Sequence, residues 1–140
     1  MSQQAISGLL IEAFRSLESE IGPALEDRGA FELTPAQARA LLLVDRTGTR
    51  LTELARRAGV TKQAMMQLVD DLQTTGCVRR TPDPEDSRAK VVRLTAKGLR
   101  QRARARKAIQ AVESRLKRQL GPRRFEVFRT TLEELVEPAE

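Results

Sequence analysis

TELARRAGVTKQAMMQLVDDL, residues 52–72, decides how the rest of the chain is read. It divides into two short helices joined by a turn of about four residues through Gly59. Thr52 can cap the first helix, which places Leu54, Ala55 and Ala58 inward and stops at Gly59. Thr61 can cap the second, which carries Met65, Leu68, Val69 and Leu72 on one side and ends near Gly76. This is the pattern of a helix-turn-helix, whose second helix enters the major groove of DNA. A glycine turn between two short helices is common by itself, so the flanks must decide.

Downstream lies RRTPDPEDSRAKVVRLT, residues 79–95. Cys77–Arg80 and Val91–Leu94 have strand character, and Pro82 and Pro84 mark the connection because neither fits a central strand. The connection is too long for a tight turn, so a protruding hairpin is expected. Upstream, Ile6, Leu10, Phe14, Leu17, Ile21 and Leu25 follow a helical spacing over residues 3–27, which Gly22-Pro23 is expected to bend or interrupt. Thr34, Pro35 and Gln37 supply a cap, a first-turn proline and a capping box for a helix running to Val44. Thr95 can cap a long helix to about Leu120, with Leu99, Ala103, Ile109, Val112, Leu116 and Leu120 as its apolar line. Gly121-Pro122 breaks the chain before a last helix bearing Phe125, Phe128, Leu132, Leu135 and Val136. The expected fold is mainly α: a winged helix-turn-helix with long N- and C-terminal helices and a small β-hairpin wing.

Composition narrows the function. With no histidine and one cysteine, neither a disulfide framework nor a transition-metal site is expected. The usual histidine-based acid–base and nucleophilic machinery is also missing, so no catalytic residue, cofactor or enzymatic activity is expected. No long apolar run suggests a membrane span, and MSQQAISGLL lacks the features of a signal peptide, which points to a cytoplasmic protein. The net charge of +6 is unevenly spread. Residues 46–107 carry 16 Lys/Arg against 6 Asp/Glu, whereas residues 1–45 are net −4 and residues 108–140 are neutral. A basic excess confined to the middle marks a footprint for a polyanion, against the alternative of a generally basic solvated surface.

LTPAQARALLLV, LTELARRAGVTKQAMMQLVDDLQTTGCVRR, PDPEDSRAKVVRLTAKG and the two closing helices together resemble the MarR family of bacterial transcription regulators. The wing's Asp-x-Arg and the Leu-Thr-x-x-Gly after it are the most specific marks. The resemblance implies an N-terminal dimerisation helix over 1–33, a winged DNA-binding domain over 34–96 and C-terminal dimerisation helices over 97–140. It also implies a homodimeric repressor that presents two recognition helices and two wings to a palindromic operator in double-stranded DNA.

On that frame the residues acquire roles. Thr61 and Lys62 stand at a helix start, suited to a phosphate or the first base edges. Gln63 and Gln67 lie one turn apart and can bond adenine bidentately, and Met66 between them can touch a thymine methyl. The alternative for each glutamine is a solvated amide. The resemblance places the minor-groove arginine at Arg88, where Asp86 would bond it or the loop backbone, and Asp83 would form an Asx-type turn. Lys90 is a further phosphate candidate, as is Arg57, which with Arg56 could equally serve solubility. Of Arg79 and Arg80, one is expected to pack its stem. The basic residues Lys97 to Lys107 wrap around their helix, so only its first turn would reach DNA. Two departures from the family are Met66, where a small polar residue is usual, and Asp71, where a basic one is frequent. Asp70 and Asp71 are expected to face away from DNA and pair with arginines, and Cys77 to be buried and structural.

Many members of the family release DNA when a small amphipathic, often phenolic, effector binds between the dimer helices and the winged domain. The corresponding candidates are Phe14, Arg15, Phe31, Arg39 and Leu43. Two other readings are a winged-helix protein-interaction module and an architectural DNA binder without sequence preference.

Overall fold

A computed structural model of the chain describes residues 3–137. It contains six helices and one small sheet: α1 Ile6–Asp27, α2 Pro35–Leu43, β1 Thr49–Arg50, α3 Leu51–Ala58, α4 Lys62–Thr74, β2 Val78–Pro82, β3 Lys90–Leu94, α5 Ala96–Leu120 and α6 Pro122–Val136. None of the described helices is long and apolar enough to cross a membrane. The mainly helical winged architecture is the one expected.

Local chemistry explains most boundaries. Thr34 accepts the Gln37 N–H while the Gln37 side chain accepts the Thr34 N–H, closing the capping box of α2. Thr61 accepts from Ala64 at 3.0 Å and starts α4. The turn between α3 and α4 depends on Gly59 at φ 66°, a left-handed conformation that glycine adopts without strain. Val60 N–H then reaches the Ala55 carbonyl and Gly59 N–H the Arg56 carbonyl, satisfying the end of α3.

Four expectations need correction. Gly22-Pro23 does not interrupt α1, which runs on through Pro23 to Asp27. The sheet has three strands rather than two, in the order β1-β3-β2, with Thr49 opposite Val92 and Arg50 opposite Val91. A two-residue strand carries no periodicity to read. Thr52 does not cap α3. Pairing with β3 holds Arg50 extended and the helix starts at Leu51, so Arg50 takes the N-cap position without a side-chain cap.

The fourth concerns α5. Its buried face is Gly98, Gln101, Arg102, Ala105, Ala108 and Val112, whereas Leu99 is 43% exposed and Ala103 is also exposed. Steric closeness, not hydrophobicity, selects that face. A Cβ on Gly98 would lie 1.9 Å from the Cys77 carbonyl oxygen, so α5 can start here only on a glycine. Thr95 completes the joint: its hydroxyl donates to the Gly76 carbonyl at 2.5 Å and accepts the Gly98 N–H at 3.0 Å. The Leu-Thr-x-x-Gly sequence is therefore the clamp that fastens the wing to the long helix.

The core sits beneath the helix-turn-helix. Leu25, Leu41, Leu54, Met65, Val69, Leu72, Cys77, Val78 and Val92 are its most deeply buried side chains, which bears out the inward assignment of Met65, Val69 and Leu72 and the expected burial of Cys77. Outside it, α1 exposes Ile6, Leu9, Leu10, Ile11 and Phe14, and α6 exposes Val127, Phe128, Leu135 and Val136.

Candidate nucleic-acid interface

Burying Met65, Val69 and Leu72 on one side of α4 turns Lys62, Gln63, Met66 and Gln67 outward, since side chains three and four apart share a helix face. Met66 is 41% exposed, so this outward face has an apolar spot among amides. Gln67 donates to Asp71 at 3.1 Å, and Asp71 also accepts from Gln37. Asp71 is thus paired with amides, not with the arginine expected. Its partner Asp70 does pair with one: Arg80 lies at 2.5 Å and also donates to the Met66 carbonyl. Arg80 ties β2 to the recognition helix while Arg79 stays exposed.

The wing is ordered by its acids. Asp86 accepts the Arg88 N–H at 3.0 Å and stands 3.5 Å from Arg88 Nε, leaving the Arg88 side chain 92% exposed at the tip. Asp83 forms the expected Asx bond, accepting the Glu85 N–H at 2.8 Å. Its other oxygen accepts Arg50 Nε at 2.5 Å, a pairing across 33 positions of sequence that no local pattern announces. The Glu85 N–H first, and then Arg50, hold the Asp83 carboxyl below its ordinary value despite burial. Arg93 braces the base of the wing, donating to Thr81 and to the Thr47 carbonyl.

Between the wing, the start of α3 and the start of α4 lies a groove of about 550 Å³, lined by Arg50, Leu51, Thr52, Lys62, Met66, Asp86, Arg88, Ala89 and Lys90. Four of these carry positive charge and one negative. Of the residues singled out for DNA, Lys62, Met66, Arg88 and Lys90 meet here, Gln63 and Gln67 flank them on α4, and Thr61 caps that helix.

Arg57 stands apart from this group. Each of its three side-chain nitrogens bonds protein oxygen: the Leu43 carbonyl, both Asp45 oxygens and Glu53. It braces α3 against the end of α2. Glu53 accepts from Arg56 as well, and that bond foremost lowers its carboxyl to about 2. Arg57 likewise holds Asp45 below its ordinary value. On α5, Arg102 is buried despite belonging to this basic run, and it donates to the Val44 carbonyl at 2.6 Å.

The five effector candidates gather only in part. The Arg39 guanidinium stands 5.2 Å from the centre of the Phe14 ring and pairs with Glu18. Arg15 and Phe31 are exposed and Leu43 is half-buried. An apolar hollow of about 330 Å³ lies elsewhere, between α1, α5 and α6, lined among others by Leu17, Leu116, Phe125, Phe128, Arg129 and Leu132.

Known proteins share this arrangement. Residues 31–89 match the model of the MarR family. Over 128 residues the chain is 30% identical to the HTH-type transcriptional repressor Rv2887 of Mycobacterium tuberculosis, covering 91% of this chain and 90% of that protein. The fold matches the transcriptional repressor CouR bound to a 23-mer DNA duplex with a TM-score of 0.83 and 28% identity, over 95% of this chain and 93% of that one. It matches CouR from Rhodococcus jostii RHA1 bound to p-coumaroyl-CoA with a TM-score of 0.83 and 24% identity, over 99% of both chains. Matched by the family model over the helix-turn-helix and much of the wing, and by a repressor over nearly its whole length, the chain belongs to the MarR family of transcriptional regulators.

Proposed function

We propose that this protein is a cytoplasmic homodimeric repressor that binds a palindromic operator in double-stranded DNA and blocks transcription by occupying it. The observation that carries this reading is the exposed face of α4 beside the exposed Arg88, separated by a basic groove. A helix fits the major groove, and an arginine-tipped wing fits the adjacent minor groove, whose narrow A·T-rich form attracts cations. Lys62 and Lys90 would hold phosphates, and Gln63, Met66 and Gln67 would read bases. Thr61 would set the helix start that faces the backbone. Arg57, occupied within the protein, would position α3 rather than reach DNA.

The exposed apolar side chains of α1 and α6 support a dimer, since large apolar side chains left in water gain by burial against a second copy. Two-fold symmetry would then place half-sites one turn of DNA apart, roughly 34–36 Å. An amphipathic or phenolic effector that enters beside Phe14 and Arg39 would change the spacing of the recognition helices. Arg15, Phe31 and Leu43 would contribute once the second copy is in place. We assign the protein no catalysis.

The test is selection from random duplexes, followed by fluorescence anisotropy at several salt concentrations and sedimentation of the free protein. A palindromic winner bound by a dimer about 10³-fold over random duplex is the expected result. Affinity without sequence preference but with a steep salt slope would replace this reading with an architectural one. No binding at all would leave a protein-interaction module.

A further inference from the structure

We infer that Arg50 is a further ligand of the DNA backbone in the groove between recognition helix and wing, and that Asp83 is the residue that aims it. The inference rests on the DNA-binding reading above and extends it to Arg50, outside the motifs, while giving the wing residue Asp83 a second role. Arg50 ends β1, where pairing with Val91 fixes its backbone, and its side chain lines the groove together with Lys62, Arg88 and Lys90. Asp83 is 7% exposed and has both oxygens engaged, one by the Glu85 N–H and one by Arg50 Nε.

That bond uses one edge of the guanidinium. The two terminal nitrogens have no hydrogen-bond partner among the described residues, and the side chain remains 48% exposed. A planar fork with one edge held and the other open is matched to the two free oxygens of a phosphodiester. A lysine would offer only a point charge.

The placement of the acid also needs a reason. A carboxylate in a loop that faces a polyanion opposes binding by simple charge. As a half-exposed ion pair it contributes little to stability. Both objections vanish if its work is orientation: the same carboxylate fixes the loop through Glu85 and the cation through Nε. A strand of DNA that passes from the major-groove helix to the minor-groove wing must cross this groove, and phosphate contacts there set the register of both elements.

The experiment measures salt-dependent affinity of the full-length protein for the duplex won in the selection, comparing Arg50→Gln, Asp83→Asn, the double variant and Glu85→Gln. Because the Arg50–Asp83 pair is neutral, removing both members leaves the local net charge unchanged and leaves no buried partner orphaned. Each phosphate contact contributes about 0.9 to the slope of log affinity against log salt. A dimer lacking Arg50 should therefore lose about 1.8 from that slope, in the single and the double variant alike, with the selected sequence unchanged. Asp83→Asn should weaken binding although it removes a negative charge, whereas Glu85→Gln, the loss of a neighbouring acid that does not hold Arg50, should not.

A double variant with wild-type slope and affinity would overturn the inference, as would tightening by Asp83→Asn equal to that by Glu85→Gln. If the wild type itself bound no duplex, the failure would belong to the DNA-binding reading. If Asp83→Asn loosened the fold, seen as a lowered melting temperature, Arg50→Gln, which keeps Asp83 and its bond to Glu85, would still decide: a wild-type salt slope for that variant would overturn the inference.

Discussion

The winged half and the terminal helices of this chain follow opposite economies. In the winged half nearly every large apolar side chain is spent inside the chain: Leu41, Leu54, Met65, Val69, Leu72, Val78 and Val92 are almost wholly buried, and three threonines cap helices with their hydroxyls. The terminal helices bury Leu25, Ala108 and Val112 but leave many of their other large apolar residues facing out, Ile6 at 74% and Val136 at 78% exposure. The first region closes its own account with water. The second leaves apolar surface uncovered, the surface that the proposed dimer would bury.

The sharpest way to break this contrast is to damage the closed half. Leu72→Ala should remove about 2–5 kcal/mol of stability through the cavity it leaves. A urea titration showing less than about 1 kcal/mol would mean that the core is not where the burial places it. Gly98→Ala should cost about 1–3 kcal/mol, because its methyl would meet the Cys77 carbonyl and α5 must shift away from β2. Normal stability for that variant would mean the clamp is soft.

The open half should respond differently. Leu10→Glu together with Leu135→Glu changes residues 44% and 68% exposed in the single chain, so helix content should persist while the dimer dissociates. Sedimentation at unchanged dimer mass would show that these faces serve something else. Arg88→Ala touches neither economy. It should weaken DNA binding by roughly 1–3 kcal/mol, most for A·T-rich flanks, with dimerisation and melting unchanged. Affinity equal to wild type would remove the wing from the interface.

The smallest effect concerns the α2–α3 brace. Glu53 ordinarily titrates near 4.5 and is held at about 2 in the fold, chiefly by the Arg56 hydrogen bond. A depressed carboxyl adds stability that is fully present above the unfolded value and is lost as pH falls through the folded one. Glu53→Gln should therefore flatten the acid limb of the stability curve between about pH 4.5 and 2, weakly and less so at high salt. An unchanged acid limb would show that the brace adds nothing.

Legibility followed the range of the forces. Caps and turns act within four residues, so the Thr34–Gln37 box, the left-handed Gly59 and the α4 start at Thr61 were readable. The exposed face of α4 was readable too, because its buried face has the helical period. The face of the first turns of α5 was not, since hydrophobicity favoured Leu99 while backbone proximity demanded Gly98; further along, Val112 is buried and Ile109 packs on the core as expected. Nor was the pairing of Asp71 with Gln67 and Gln37, because α2 supplies one partner from 34 positions away.

By itself the sequence determined the helices and the two wing strands, where most of them start, and which side of α4 faces out. Those outcomes depend on hydrogen bonds and periodicities that a few neighbouring residues settle. Only the tertiary structure decided that Thr49–Arg50 joins the sheet, that Arg102 is buried, that Arg57 works as a brace, and that Arg50 and Asp83 meet across the groove. Each of these depends on bringing together residues remote in sequence, and their positions are fixed by how the core packs rather than by anything written beside them.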